Sequence, residues 1–256
     1  MKVSIIGSGN VATVLGKKIL LAGHEIIQVT GRSVSNARIL ATTLKSIASG
    51  NIKDIDTNAD LYLLCINDNS IKDVAAQLPF SNKLVVHTAG AVRKELLDRS
   101  EMYGVIYPLQ SLRKDMDQMP DIPVMIDGNS TEVSKILFDF SSGWATSVSF
   151  STDEERLKLH VAAVIASNFV NHLYTLSEEF CKKENVDFKH LLPLINETAS
   201  RLQRASPVDL QTGPAIRKDS KTIAKHMDIL SPYPALQRLY SYLSENIQKQ
   251  HEADAT

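Results

Sequence analysis

Gly7, Gly9 and Ala12 are spaced as Gly-x-Gly-x-x-Ala, directly after the apolar run Val3, Ile5, Ile6 and at the head of a helical pattern. Strand, glycine loop and helix in that order make a cradle for a dinucleotide pyrophosphate. Gly7 permits the tight turn, Gly9 lets phosphates approach the backbone, and Ala12 is small enough for the helix to pack on the strand. Ser8, Asn10 and Val11 complete the loop. Its N–H groups and the positive end of the helix dipole favour an anion there.

The end of the second strand, Gln28-Val29-Thr30-Gly31-Arg32-Ser33, indicates which dinucleotide. An NAD site of this kind places an acid there to bind the ribose hydroxyls. Here Glu25 lies at the strand's beginning and Arg32 stands at its end. A guanidinium there can pair bidentately with the 2′-phosphate of NADP. Ser33 can add a hydrogen bond and also cap the next helix.

Further polar groups lie where a parallel sheet presents its carboxyl edge. Asn67 and Asp68 follow one strand and could bind the ribose or amide, while Asn69 or Ser70 could simply cap the following helix. His87 ends the next strand, as an acid or base, or as a hydrogen-bonded structural histidine. Tyr107-Pro108-Leu109-Gln110-Ser111 gives a weaker signal for the same edge. On a later helix, His160, Ser167 and Asn171 share one direction at helical spacing, with Asn168 and His172 on the neighbouring stripe. Facing a cleft they would bind a substrate hydroxyl or carbonyl, and facing another helix they would be satisfied packing residues. Thr212-Gly213-Pro214 reads as a turn into a short helix that carries Arg217, a grip for a carboxylate or phosphate. Asp219 is placed to cap the helix from Ser220.

The positioning elements follow from hydrophobic period. Strands are predicted at 2–6, 24–30, 61–66, 83–87, 103–107, 123–127 and 145–149, and helices at 10–22, 34–43, 69–78, 92–99 and 131–141. Leu61 to Ile66 is continuously apolar, as a parallel strand buried on both faces requires. Beyond residue 150 the pattern is helical only, with one long helix at 153–183 and others at 187–203, 219–230 and 234–249. The fold class is therefore α/β: a Rossmann-type doubly wound parallel sheet over residues 1–150, then an all-helical region over 151–256 for substrate binding and dimerisation. Val161 to Leu173 is apolar nearly all round, and a second copy of the chain is one way to cover such a helix.

Composition limits the classes of function. The 256 residues carry a net charge of −1, which gives no general attraction to nucleic acid. No apolar run reaches the ~18 residues of a membrane span. Cys65 and Cys181 form no C-x-x-C pair, which suits a reduced, cytoplasmic protein. The strand and glycine loop begin at once, without a signal-peptide layout, and Gln248 to Thr256 is polar and expected to fray.

The chain resembles the β-hydroxyacid dehydrogenase and pyrroline-5-carboxylate reductase superfamily. It is more similar still to NADP oxidoreductases that join a Rossmann-like domain to a "domain of unknown function 2520". That resemblance rests on the glycine loop, on His160-Val161-Ala162-Ala163 running to Ser167-Asn168, on Thr212-Gly213-Pro214-x-x-Arg217-x-Asp219, and on His226. It implies NADP as cofactor, a helical domain that dimerises, and His160 and Asn168 at the reacting centre. Many β-hydroxyacid dehydrogenases carry a catalytic lysine four residues before that asparagine, where this chain has Val164. Hydride transfer between nicotinamide and a small carbonyl/alcohol or imine/amine is the leading expectation, with His160 and His87 as acid-base candidates. A non-catalytic NADP-binding sensor and a deazaflavin-linked NADP reductase are the alternatives.

Overall fold

The computed structural model describes residues 1–116 and 118–253. Two compact units divide the chain, the first ending at Phe169 and the second beginning at Val170.

In the first unit, β1 (Lys2–Ile6), α1 (Asn10–Leu21), β2 (Glu25–Thr30), α2 (Val34–Thr43) and β3 (Ile47–Ser49) run in order. There follow β4 (Leu61–Leu64), a 3₁₀ turn, α3 (Ile71–Ala75), β5 (Leu84–His87), β6 (Met102–Pro108), β7 (Pro123–Gly128), α4 (Thr131–Ser142), β8 (Ser147–Phe150) and α5 (Asp153–Ala163). The eight strands form one sheet in the order β3-β2-β1-β4-β5-β6-β7-β8. Pairing is parallel from β3 to β6, antiparallel between β6 and β7, and parallel between β7 and β8. The doubly wound parallel sheet expected from the sequence is thus present, with one antiparallel pair at this edge. A parallel neighbour needs a crossover, usually helical, but the described residues of 109–122 contain no helix, and β7 runs the opposite way.

β4 shows why the sheet is central. Leu61, Tyr62, Leu63 and Leu64 are all fully buried, with Leu61 and Leu63 in the cluster under α1, α2 and α4. Tyr62 and Leu64 join a second cluster with Ile71, Ala75 and Leu97 on the opposite face. Each such side chain contributes roughly 1.5–3 kcal/mol of burial. Local signals end the helices as the sequence suggests. Gly23 takes φ +87° just past α1, and Ser33 caps α2 by accepting from the Asn36 N–H.

Several elements differ from the sequence-based expectation. β3 was not foreseen. The helix at 69–78 shrinks to the 3₁₀ turn Asp68–Ser70 plus α3, and the helix at 92–99 is only the 3₁₀ turn Lys94–Leu97. Residues 153–183 are helical throughout, but Val164–Phe169 form a π-helical stretch between α5 and α6 (Val170–Lys183). The second unit continues with α7 (Leu192–Arg201), α8 (Ser220–Ile229) and α9 (Pro234–Ala253). α9 is helical through Ala253, so the fraying expected from Gln248 does not hold that far; residues 254–256 lie outside the described residues. No helix among the described residues is long and apolar enough to cross a membrane.

Candidate functional site

β1, β2, β4, β5 and β6 are mutually parallel, so the loops that follow them emerge at one edge of the sheet. Two hollows occur there. Another cavity, about 970 Å³, lies among Lys2, Glu25 and Asp60 at the strands' starting ends, where an open sheet does not place its ligand.

The first hollow at the carboxyl edge has a volume of about 670 Å³ and is lined by the glycine loop, by Gly31, Arg32, Ser33 and Asn36, and by Cys65 to Asn67. Gly7 has φ +125°, and its N–H donates to the Thr30 carbonyl at 2.7 Å. A Cβ there would lie 2.1 Å from the Cys65 carbonyl oxygen, so no other residue fits the turn. At Gly9 a Cβ would meet nothing within 4 Å, so the missing side chain leaves open space over the loop. Gly9 also begins α1 without a side-chain cap, so the first helical N–H groups, from Asn10, Val11 and Ala12, are available to an anion. Asn10 has a further role: its Oδ1 accepts from the Lys114 N–H at 3.1 Å and ties the loop after β6 to the glycine loop. Arg32 is exposed and makes no ion pair among the described residues. Asn36, one turn into α2, was not singled out by the sequence. Cys65 is no nucleophile here, because burial pushes its thiol up to about 12.

The second hollow, about 620 Å³, lies beyond Val11 and Asp68. Its walls are Thr88, Ala89 and Gly90 after β5, Tyr107 to Ser111 at the end of β6, and the helical face from Leu159 to Asn168. His160, Ser167 and Asn168 all line it, of the groups whose facing the helix pattern left open. The π-helical stretch turns less per residue than an α-helix, which brings Ser167 and Asn168 round together. Val164 also faces this hollow, so an aliphatic wall stands where a lysine was expected. Ala162, Ala163 and Ala166 keep the space open.

The Tyr107 hydroxyl lies 3.0 Å from His160 Nδ1 with the rings edge to face, a pairing that the sequence did not indicate. Burial raises the Tyr107 phenol above its ordinary 10.0, and the nearby Arg156 guanidinium opposes that shift. Arg156, one turn before His160, is 1% exposed. It donates to the Val92 carbonyl at 2.7 Å, is bonded to Asp153, and lies 3.8 Å from Asp127, which also binds Lys94 at 2.8 Å.

His87 does not line either hollow. It is fully buried, its Nδ1 accepts from the Ala89 N–H at 3.2 Å, and its Nε2 has no partner. Burial, and secondarily the charge of Arg156, pushes it down to about 4. Asn171 and Arg217 belong to the second unit, where both are exposed. Asp219 caps α8 through Thr222, and Gly213 takes φ +108° in the turn before it. His226 pairs with the Tyr240 hydroxyl at 2.7 Å beside a 450 Å³ apolar hollow of that unit.

Residues 2–90 match the family described as NADP oxidoreductase, coenzyme F420-dependent, and residues 122–247 match a domain of unknown function, DUF2520. The crystal structure of putative NADP oxidoreductase BF3122 from Bacteroides fragilis is similar over 97% of this chain and 98% of that one, with 35% identity and a TM-score of 0.90. Protein TM1727 from Thermotoga maritima shares the fold at 22% identity over 99% of this chain and 100% of its own, TM-score 0.74. A 1-pyrroline-5-carboxylate reductase from Streptococcus pyogenes shares it at 18% identity over 97% and 98%, TM-score 0.61. No curated protein matches the chain.

Proposed function

Because the chain belongs to the family of the Bacteroides fragilis protein, NADP oxidoreductases in which a Rossmann domain precedes a DUF2520 region, we propose that it transfers a hydride between NADP and a small polar substrate with a carbonyl/alcohol or imine/amine reacting group. The observation that carries this reading is the pair of hollows flanking one glycine loop. Gly7, Gly9, Arg32 and Ser33 line one, and His160, Ser167 and Asn168 line the other.

The residues fit the cofactor. The loop has open space over Gly9 and unsatisfied helical N–H groups for a pyrophosphate, and Arg32, Ser33 and Asn36 stand together for a 2′-phosphate. Asn67 and Asp68 sit between the hollows, placed for the ribose and the amide. The nicotinamide supplies the hydride. The protein's own task is to hold the reacting group in the second hollow and to move one proton. Ser167 and Asn168 can hydrogen-bond its heteroatom, and the alanines and Val164 give the space an apolar lining. His87, buried and neutral, supplies no proton to that space.

Incubating the protein with NADPH and a panel of small ketones, aldehydes and cyclic imines tests the reading. Saturable NADPH oxidation with at least one class is expected, and its class settles the reacting group. NADPH binding without turnover across the panel would instead support a sensor. The description of the family matching residues 2–90 favours a second reading, a deazaflavin as redox partner. A flat binding isotherm for deazaflavin would remove it.

A homodimer is also proposed. Leu157, Val161, Ile165 and Phe169 recur every fourth residue and are 45–59% exposed, an apolar stripe suited to a second copy. Sedimentation should show a dimer, and Val161→Glu with Phe169→Glu should yield a monomer; a monomeric wild-type chain would end the idea.

A further inference from the structure

Tyr107 is the most suggestive group that the sequence reading left without a role. It ends β6, its ring lines the second hollow, and it meets His160 across the wall formed by β6 and α5. Room for this pair comes from Gly90: a Cβ there would lie 2.9 Å from both His160 Nδ1 and the Tyr107 ring. The glycine is therefore needed for the contact of two other residues.

We propose that Tyr107 is the residue that passes a proton to and from the substrate, and that His160 stands behind it as the proton reserve. The inference rests on the oxidoreductase reading above. In the reducing direction a bound NADPH would supply the hydride to the carbon of a C=N or C=O group, leaving the electron pair on the heteroatom to be protonated. The Tyr107 O–H bond breaks as its proton goes to that heteroatom. The phenolate then takes the Nδ1 proton of His160 as the imidazole takes up another at Nε2, relayed by water, so that the net proton comes from bulk solvent. The sum is one hydride and one proton added, with Tyr107 and His160 restored.

Three features favour Tyr107 over His160 as the donor. A phenol raised by burial stays protonated at neutral pH, as an acid must. The Arg156 guanidinium beside it lowers the cost of a transient phenolate. Ser167 and Asn168 are left free to hold the same heteroatom. The charged groups facing the phenol are His160 across the hydrogen bond and Arg156 beneath, with Asp68 on the far rim of the hollow.

The test uses the full chain with Tyr107→Phe and His160→Gln. With a substrate found in the panel, Tyr107→Phe should lower kcat roughly 100-fold or more, with NADPH affinity within about twofold. A kcat within about threefold of wild type would overturn the proposal. A second readout needs no substrate. The Tyr107 phenol is titrated by near-ultraviolet absorbance as the difference between each protein and its Tyr107→Phe counterpart. Because Nδ1–H should donate to the phenolate, His160→Gln should move that titration upward by about half a unit or more. A downward move would mean that His160 merely accepts from the phenol, and no move would mean that they are uncoupled; either result overturns the relay. If no panel compound is reduced, the functional reading fails, and the titration alone decides whether the pair is built as proposed.

Discussion

A Cβ on Gly90 would stand 2.9 Å from Nδ1 of His160, so the loop after β5 sets how closely α5 can present its histidine to Tyr107. Gly90→Ala should force the rings apart at little expense to the fold. Overpacking of this kind costs about 1–3 kcal/mol, whereas a misplacement near 1 Å at a reacting centre can cost about 100-fold in rate. Thermal melting should therefore show a modest loss while kcat collapses. Unchanged kcat in a stably folded Gly90→Ala variant would show that the contact has no part in the chemistry.

Arg32 supplies the specificity prediction. It is exposed, makes no ion pair among the described residues, and shares its hollow with Ser33 and Asn36. A charged hydrogen bond contributes about 1.5–3 kcal/mol, so Arg32→Ala should weaken NADPH roughly 10- to 100-fold and leave NADH within about threefold. Titration of both nucleotides by calorimetry decides it; equal losses would remove the 2′-phosphate assignment.

The two hollows were unequally legible in the sequence. The nucleotide side is partly made by short-range chemistry: Gly9 opens α1 and Ser33 caps α2, so their spacing carries the meaning, although the tight turn at Gly7 is enforced by Cys65 after β4. The substrate side depends on what lies beside what. Tyr107 gains significance only because β6 pairs with β5 and α5 crosses its end, and neither fact is local. Counting at helical spacing found His160 and Ser167, but it could not foresee the π-helical stretch that brings Asn168 to the same wall. β3 escaped notice because three residues with an exposed Ile47 carry too little period. The reversal at β7 escaped because direction is set by the absence of a crossover helix, which hydrophobic pattern does not record.

Arg156 anchors α5 through charges removed from water. Burial draws the Asp153 carboxyl upward, but the bonded guanidinium outweighs it and holds the group below its ordinary 3.8. Asp153→Ala would leave Arg156, 1% exposed, with the Val92 carbonyl and a 3.8 Å approach to Asp127. Breaking a buried pair from one side costs about 3–5 kcal/mol. Since Asp153 is 20% exposed, the lower part of that range is expected. Denaturant unfolding of Asp153→Ala measures it, and a loss under about 1 kcal/mol would mean that water already screens the pair.

His87 gives the pH dependence of the fold. Folded, it titrates near 4 because burial disfavours its charged form, with the positive Arg156 adding to the effect; unfolded, it should return to about 6.5. Between those values the unfolded chain binds a proton that the folded chain does not. Stability therefore rises with pH through the window and is lost as pH falls from about 6.5 to 4. The full span corresponds to about 3 kcal/mol. His87→Asn can keep an acceptor for the Ala89 N–H while removing the titration, so the variant's baseline stability is not the readout. The difference between the two proteins' unfolding free energies, followed by urea from pH 7 to pH 4, should narrow or invert by about 2–3 kcal/mol as wild type loses its advantage. Curves that stay parallel across the window would show that His87 titrates alike in the folded and unfolded chain, and the buried, neutral histidine behind the site would have to be given up.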